Sequence, residues 1–276
     1  MSNTEPSGVG AIPPILLVGC GRMGGAMLSG WREQGLAPSV AVDPAPSAAA
    51  FSGPDMTVVA DVASIPEGFA PAAVVLAVKP QNAAATLPSY ARFAPNTVFL
   101  SIMAGRTMAG IGALLGPAAA IVRAMPNTPA AVRQGVTVGC PNPKASTQQK
   151  ALCDRLLQAI GKVAWVEDEA LLDPVTAVSG SGPAYVFLLA ELMEQAAIEQ
   201  GIPPDLARLL ARQTVAGSGA LLAASADDSS ALRVAVTSPG GTTAEALAVL
   251  MNPDAWPIAV SQAIAAATRR SRELAG

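Results

Sequence analysis

The sequence predicts an α/β N-terminal domain built on a doubly wound parallel sheet, followed by an all-α C-terminal domain. Three observations carry this. Short apolar runs alternate with amphipathic segments as far as Val166. The first of those runs passes directly into Gly19-Cys-Gly21-Arg-Met-Gly24. After Glu167 the alternation stops, and the chain continues as Ala- and Leu-rich stretches of helical length. The expected organisation is a flexible extension over 1–14, a dinucleotide-binding domain over 15–166 and a helical domain over 167–276.

Composition narrows the classes of partner. At 276 residues the chain exceeds one typical domain, and with 51% apolar but only 4% aromatic content its core is filled by Ala, Val and Leu. A net charge of −3 leaves no basic footprint for nucleic acid or an anionic membrane. Lys79, Glu191 and Glu194 interrupt the best apolar runs before the ~18 residues that a membrane span needs. Residues 1–14 lack a basic stretch followed by an apolar one, so the expected location is the cytoplasm. Cys20, Cys140 and Cys153 are odd in number and widely spaced, which fits reduced thiols better than a disulfide frame or a metal site, and no metal is expected. Histidine is absent altogether, removing the commonest general acid/base.

Taken in order, Ile15-Leu-Leu-Val-Gly19 reads as strand and tight turn, and the segment to about Gln34 as helix. In that setting the first glycine permits the turn, the second lets a pyrophosphate approach the backbone, and the third lets helix and strand pack closely. A second strand, Val40-Ala-Val42, ends in Asp43, at about the 20-residue spacing where a carboxylate accepts from the adenosine ribose hydroxyls and favours NAD over NADP. Two alternatives stay open: Asp43 caps the turn at Pro44, and Arg22 pairs with a phosphate. Further strands are expected at 74–78, 97–101, 120–123, 135–140 and 163–166. Two strand ends carry polar residues where such a sheet presents its ligand, Ala77-Val-Lys-Pro-Gln81 and Met125-Pro-Asn-Thr-Pro129, and cofactor contacts are expected there. Lys79 is one of only four lysines.

The second half predicts helices over 184–200, 204–224, 243–251 and 253–274, with prolines at Pro203-Pro204 and Pro253 as punctuation. Val175-Thr-Ala-Val-Ser-Gly-Ser-Gly-Pro-Ala-Tyr185 is rich in small residues that admit close approach of a helix or a partner chain, and a homodimer or larger assembly is expected. Ala235-Val-Thr-Ser-Pro-Gly-Gly-Thr-Thr243 interrupts the helices with hydroxyls and glycines at one bend, which suits a small anion; the simpler reading is a helix cap.

Chemistry is then limited by what is missing. Reducing a ketone or oxidising a hydroxy acid needs a group to handle the oxygen's proton, usually His or Lys, and no lysine follows Lys162. A cyclic imine is partly protonated near neutral pH and accepts hydride without a strong acid, so an orienting hydroxyl suffices. A hydroxy-acid dehydrogenase and a non-catalytic nucleotide sensor are the competing readings.

Gly19-x-Gly21-x-Met23-Gly24, Leu76-Ala-Val-Lys-Pro-Gln81, Met125-Pro-Asn-Thr-Pro-Ala130, the 175–185 motif and Val236-Thr-Ser-Pro-Gly-Gly-Thr-Thr243 together resemble pyrroline-5-carboxylate reductases, from about Ile15 to Leu274. The resemblance implies a Rossmann domain, a helical dimerisation domain that interlocks two subunits and often builds a decamer, and reduction of 1-pyrroline-5-carboxylate to L-proline by NADPH or NADH. By matching position it implies Thr243 at the imine nitrogen and Ser238, Gly241 and Thr242 around the substrate carboxylate, with Glu169 also touching substrate. It implies cofactor contacts from Gly19, Cys20, Gly21, Arg22, Met23, Gly24, Ala77, Val78, Lys79, Pro80, Ile102, Met103 and Ala104. Arg22, where the family often has Asn, and Val234-Ala235, in place of a commonly polar pair, depart from the pattern and are expected to alter affinity rather than reaction class.

Overall fold

The structure, a computed structural model, describes residues 11–275. Most of the expected N-terminal extension lies outside the described residues. Residues 11–14 are no loose tail, however: Ile12 is fully buried, its N–H donates to Gly35 and its carbonyl accepts from Ala37, because an isoleucine beside β1 gains more from the core than from water.

One sheet of eight strands organises the first part of the chain. In chain order the strands are β1 (Ile15–Val18), β2 (Ser39–Val42), β3 (Met56–Val59), β4 (Ala73–Leu76), β5 (Val98–Ser101), β6 (Ala120–Met125), β7 (Gly135–Pro141) and β8 (Gly161–Trp165), and they lie in the order β3-β2-β1-β4-β5-β6-β7-β8. The chain builds outward from β1 to β3, then returns to place β4 on β1's other side. That reversal leaves a crevice beyond the carboxyl ends of β1 and β4, where sheets of this kind bind ligands.

Apolar residues alternate between two cores, one on each face. Ile15, Leu17, Ala73, Val75, Val98 and Leu100 face one, while Leu16, Val18, Val74, Leu76 and Phe99 face the other. Both faces are covered, which is why these strands read as unbroken apolar runs. Helices α1 (Arg22–Glu33), α2 (Ala83–Thr86), α3 (Met108–Leu115) and α4 (Thr147–Gln158) cover them, together with short 3-10 turns. Trp31 of α1 is buried and its indole N–H donates to the Leu156 carbonyl at 2.9 Å, tying α1 to α4.

The sheet is parallel, as expected, except at one pair. β6 and β7 pair antiparallel, with Arg123 opposite Cys140, and β8 runs parallel to β7. The connection over 126–134 is too short for the crossover that parallel neighbours need, whereas α4 supplies one between β7 and β8.

By compactness the described residues divide into a unit that runs to Gly180 and resumes at Thr268, and a second unit, Ser181–Ala267. In this division α5 (Leu172–Val175) and the π-helical turn Thr176–Gly180 go with the sheet, whereas the expected helical domain begins at 167. Leu172 and Ala177 are fully buried there, and the Ser271 hydroxyl donates to Asp173 at 2.6 Å.

The second unit holds α6 (Gly182–Glu199), α7 (Pro204–Ala224), α8 (Ser229–Ala235), α9 (Thr242–Leu250) and α10 (Trp256–Ala275) as far as Ala267. α7 matches its expected span, with Pro204 in its first turn; α8 was not expected. Among the unit's described residues only Ala207 and Ala211 are fully buried, while Phe187 is 67% and Leu192 57% exposed. These helices do not close a core by themselves. The continuous helical run Glu169–Glu199, 31 residues, contains an 18-residue window of mean hydropathy 1.3 and is long and apolar enough to cross a membrane by length and composition. Glu191 and Glu194 therefore do not break it as expected: two charges are too few.

Candidate cofactor and substrate sites

The three glycines of the first turn do three different things. Gly19 has φ +99°, and a Cβ there would meet the Ala77 carbonyl oxygen at 2.8 Å. A Cβ on Gly24 would run into the Gly19 carbonyl oxygen. Around Gly21 a Cβ would meet nothing within 4 Å, so the second glycine leaves open room rather than filling a tight one. α1 starts at the next residue with no side-chain cap, and its first N–H groups are available to an anion.

Asp43 sits at the end of β2 with both carboxylate oxygens engaged. Oδ2 accepts from the Cys20 N–H at 2.6 Å and Oδ1 from the Ala45 N–H at 2.9 Å. Capping the turn does not take Asp43 away from the crevice: the same side chain caps its own turn, braces the glycine turn and lines the adjoining cavity. Burial and the neighbouring Asp43 charge push the Cys20 thiol up to about 11, so it stays protonated at neutral pH.

Two cavities flank the ends of β1 and β4. The first, of 470 Å³, is lined by Gly19, Gly21, Asp43, Ala77, Val78 and Lys79, with Asp61, Asn82, Thr86, Ser89 and Tyr90 among the rest. The second, of 280 Å³, is lined by Met23, Ala77, Val78, Ile102, Met125, Pro126, Asn127, Thr128 and Gly180. Ala77 and Val78 border both. Of the other expected cofactor residues, Cys20 and Met103 turn into the cores, Arg22 and Ala104 are exposed outside both cavities, and the Pro80 carbonyl accepts from the Arg106 guanidinium at 2.9 Å.

Asp61 follows β3, which was missed although the β-branched Thr57-Val-Val59 was an available signal; no motif marked Tyr90, which lies in the 3-10 turn Leu87–Phe93. Asn127 came in with its strand-end motif but without a role. It is buried, and its Oδ1 accepts from the Val136 N–H at 3.0 Å, which fixes its side chain against the second cavity.

Glu169, expected beside the substrate, is tied into the sheet unit. Its Oε1 accepts from the Met108 N–H at 2.7 Å and from Arg123 Nη1 at 2.9 Å, and the Arg123 side chain is only 6% exposed.

In the helical unit, Ser238-Pro-Gly-Gly241 forms a tight turn closed by the Gly241 N–H donating to the Ser238 carbonyl at 3.0 Å. Pro239 occupies its second position and Gly240, at φ +65°, its third, the combination a type II turn requires. α9 begins immediately after, at Thr242, and no side chain caps it. The Thr237 hydroxyl is spent on the Arg233 carbonyl at 2.6 Å, whereas those of Ser238, Thr242 and Thr243 have no partner among the described residues. The helix-cap reading of this bend therefore does not hold: hydroxyls and uncapped N–H groups are left together, which is what a carboxylate requires.

A family model described as pyrroline-5-carboxylate reductase dimerisation matches residues 169–274, and one described as NADP oxidoreductase, coenzyme F420-dependent, matches 14–105. The chain is 39% identical to the pyrroline-5-carboxylate reductase of Pseudomonas aeruginosa, over 95% of this chain and 97% of that one. Among solved structures it resembles a pyrroline-5-carboxylate reductase from Coxiella burnetii, with TM-score 0.89 and 32% identity over 96% and 99% of the two chains. It also resembles the Plasmodium falciparum pyrroline carboxylate reductase with NADP bound, with TM-score 0.80 and 25% identity over 95% and 98%.

Proposed function

Because the chain belongs to the pyrroline-5-carboxylate reductase family, we propose that it reduces 1-pyrroline-5-carboxylate to L-proline with NADH or NADPH. The bound cofactor supplies a hydride to the imine carbon. What this chain's residues do is bind and orient. The Gly19–Gly24 turn and the start of α1 receive the pyrophosphate, Gly21 leaving the room it needs. Asp43 takes the adenosine ribose in the first cavity, and the second cavity, with Met23, Ile102 and Asn127, takes the nicotinamide.

Ser238, Gly241 and Thr242 hold the substrate carboxylate, and the Thr243 hydroxyl sits at the imine nitrogen. The observation that carries this reading is the set of unpartnered hydroxyls at the uncapped start of α9, in a chain with no histidine at all. Here an iminium replaces the acid that ketone reduction would need. Exposed apolar side chains on α6 and α7 and the dimerisation match support a second copy of the chain as the macromolecular partner, rather than nucleic acid or lipid. Further assembly toward a decamer and a cytoplasmic location complete the proposal.

The test is oxidation of NADH and of NADPH, run in parallel, by purified protein supplied with pyrroline-5-carboxylate. Turnover with at least one is expected, and none with either would overturn the assignment.

A further inference from the structure

Three stretches of the sheet unit supply walls of the second cavity: the segment after β5 through Ile102, the end of β6 through Met125 to Thr128, and the π-helical turn through Gly180. Close contact is visible inside that wall, since a Cβ on Gly180 would meet Met125 Cε at 2.8 Å. One carboxylate oxygen joins the same three stretches. Glu169, at the head of the helical run leading to Gly180, accepts through Oε1 from the Met108 N–H, six residues beyond Ile102, and from Arg123 of β6, two residues before Met125.

Both bonds are strong for physical reasons. The Met108 N–H is the first of α3, where a carboxylate meets an unsatisfied donor and the positive end of the helix. Arg123 is buried, so its charge depends on a partner.

We propose that Glu169 is a positioning residue that holds the three walls of the second cavity in register, and that its effect falls on the nicotinamide half of the cofactor and not on the adenosine half. The inference rests on the cofactor placement proposed above. No group lining the first cavity bonds to Glu169, so loosening the tie leaves that cavity as it is.

The experiment compares two ligands in the full-length protein. ADP-ribose lacks only the nicotinamide ring and so reports binding without the ring's pocket, while NADH needs that pocket as well. For Glu169→Ala, kcat should fall about a hundredfold, the penalty of an ångström-scale misplacement, and NADH binding should weaken at least about tenfold. ADP-ribose binding should stay within about twofold of wild type, as expected of an independent site. Glu169→Gln keeps a carbonyl oxygen for Met108 but no charge for Arg123, and should recover only part of the loss.

Parallel weakening of both ligands, or unchanged NADH binding with wild-type kcat, would overturn the proposal. If the alanine variant does not fold, the glutamine variant is judged on the same ratio, and failure of both to fold would show the pair to be a stability element instead. The ligand comparison needs no turnover, so absence of wild-type activity would count against the reaction assigned above and not against this tie.

Discussion

The Asp43 carboxylate accepts a 2.6 Å hydrogen bond from the Cys20 N–H, so the residue proposed to receive the adenosine ribose also braces the glycine turn. Its second oxygen is held by Ala45, and the side chain cannot swing away from the first cavity without losing both bonds. Among the residues lining that cavity Asp61 is a second carboxylate and Lys79 the one cation. A 2′-phosphate would add negative charge beside a fixed carboxylate.

Asp43→Ser should therefore raise the ratio of kcat/KM for NADPH over NADH by about tenfold, roughly 1.4 kcal/mol of discrimination. KM for NADH should rise as well, because the turn loses its brace. An unchanged ratio would remove Asp43 from cofactor selection.

Gly21 and Gly24 separate binding from stability. A methyl group on Gly24 collides with the Gly19 carbonyl oxygen and forces the turn from α1, so Gly24→Ala should cost about 1–3 kcal/mol in denaturant unfolding. A methyl group on Gly21 meets open space, so Gly21→Ala should melt like wild type yet bind NADH more weakly. Equal melting of the two variants would contradict the assigned roles.

Burial raises all three thiols. Cys20 is moved from 9.0 to about 11 and Cys153 to about 12, with acidic neighbours adding to the effect, and Cys140 also moves upward. A group whose pKa is raised on folding contributes its stability fully below the unfolded value and loses it as pH climbs through the folded one. Tm should accordingly fall as pH rises from 9 toward 11, and Cys20→Ala should flatten part of that fall. A Tm that is constant across this window would show that the thiols titrate alike in the folded and unfolded chain and are not held protonated by burial.

Much of the fold was legible because its signals are local. The run into Gly19 and the proline-started helix Pro204–Ala224 both follow from short-range pattern. β3 was lost because four residues without a flanking motif carry little signal, and the antiparallel β6–β7 pair depends on the length of a connection rather than on either strand's composition. At the site, residue types were legible but partners were not. Nothing near Glu169 in sequence announces Arg123, 46 residues away, or Met108, 61 away. The free hydroxyls of Ser238, Thr242 and Thr243 are likewise a property of the folded bend: in sequence, the same residues read equally well as caps.

The exposed apolar side chains of the helical unit predict an assembly. Phe187, Leu188 and Leu192 of α6 are each more than half exposed, although the unit buries only Ala207 and Ala211 among its described residues. Wild-type protein should sediment as a dimer or larger, and Phe187→Glu combined with Leu192→Glu should lower both the assembly state and Tm. A stable wild-type monomer in analytical ultracentrifugation would refute this.

Thr243 carries the chemical prediction. Its hydroxyl is half-buried and unpartnered in the second residue of α9, beside the turn proposed for the substrate carboxylate. Removing one hydrogen bond that strengthens as charge changes at the imine nitrogen should lower kcat by about ten- to a thousandfold, so Thr243→Ala should fall in that range. Thr243→Ser restores the hydroxyl without the methyl and should recover most of the rate. Because the substrate carboxylate is assigned to other groups in the proposed function, KM for pyrroline-5-carboxylate should change less than kcat in the alanine variant. A folded alanine variant with wild-type kcat would show that the imine needs no hydroxyl from this position and that the iminium alone accepts the hydride.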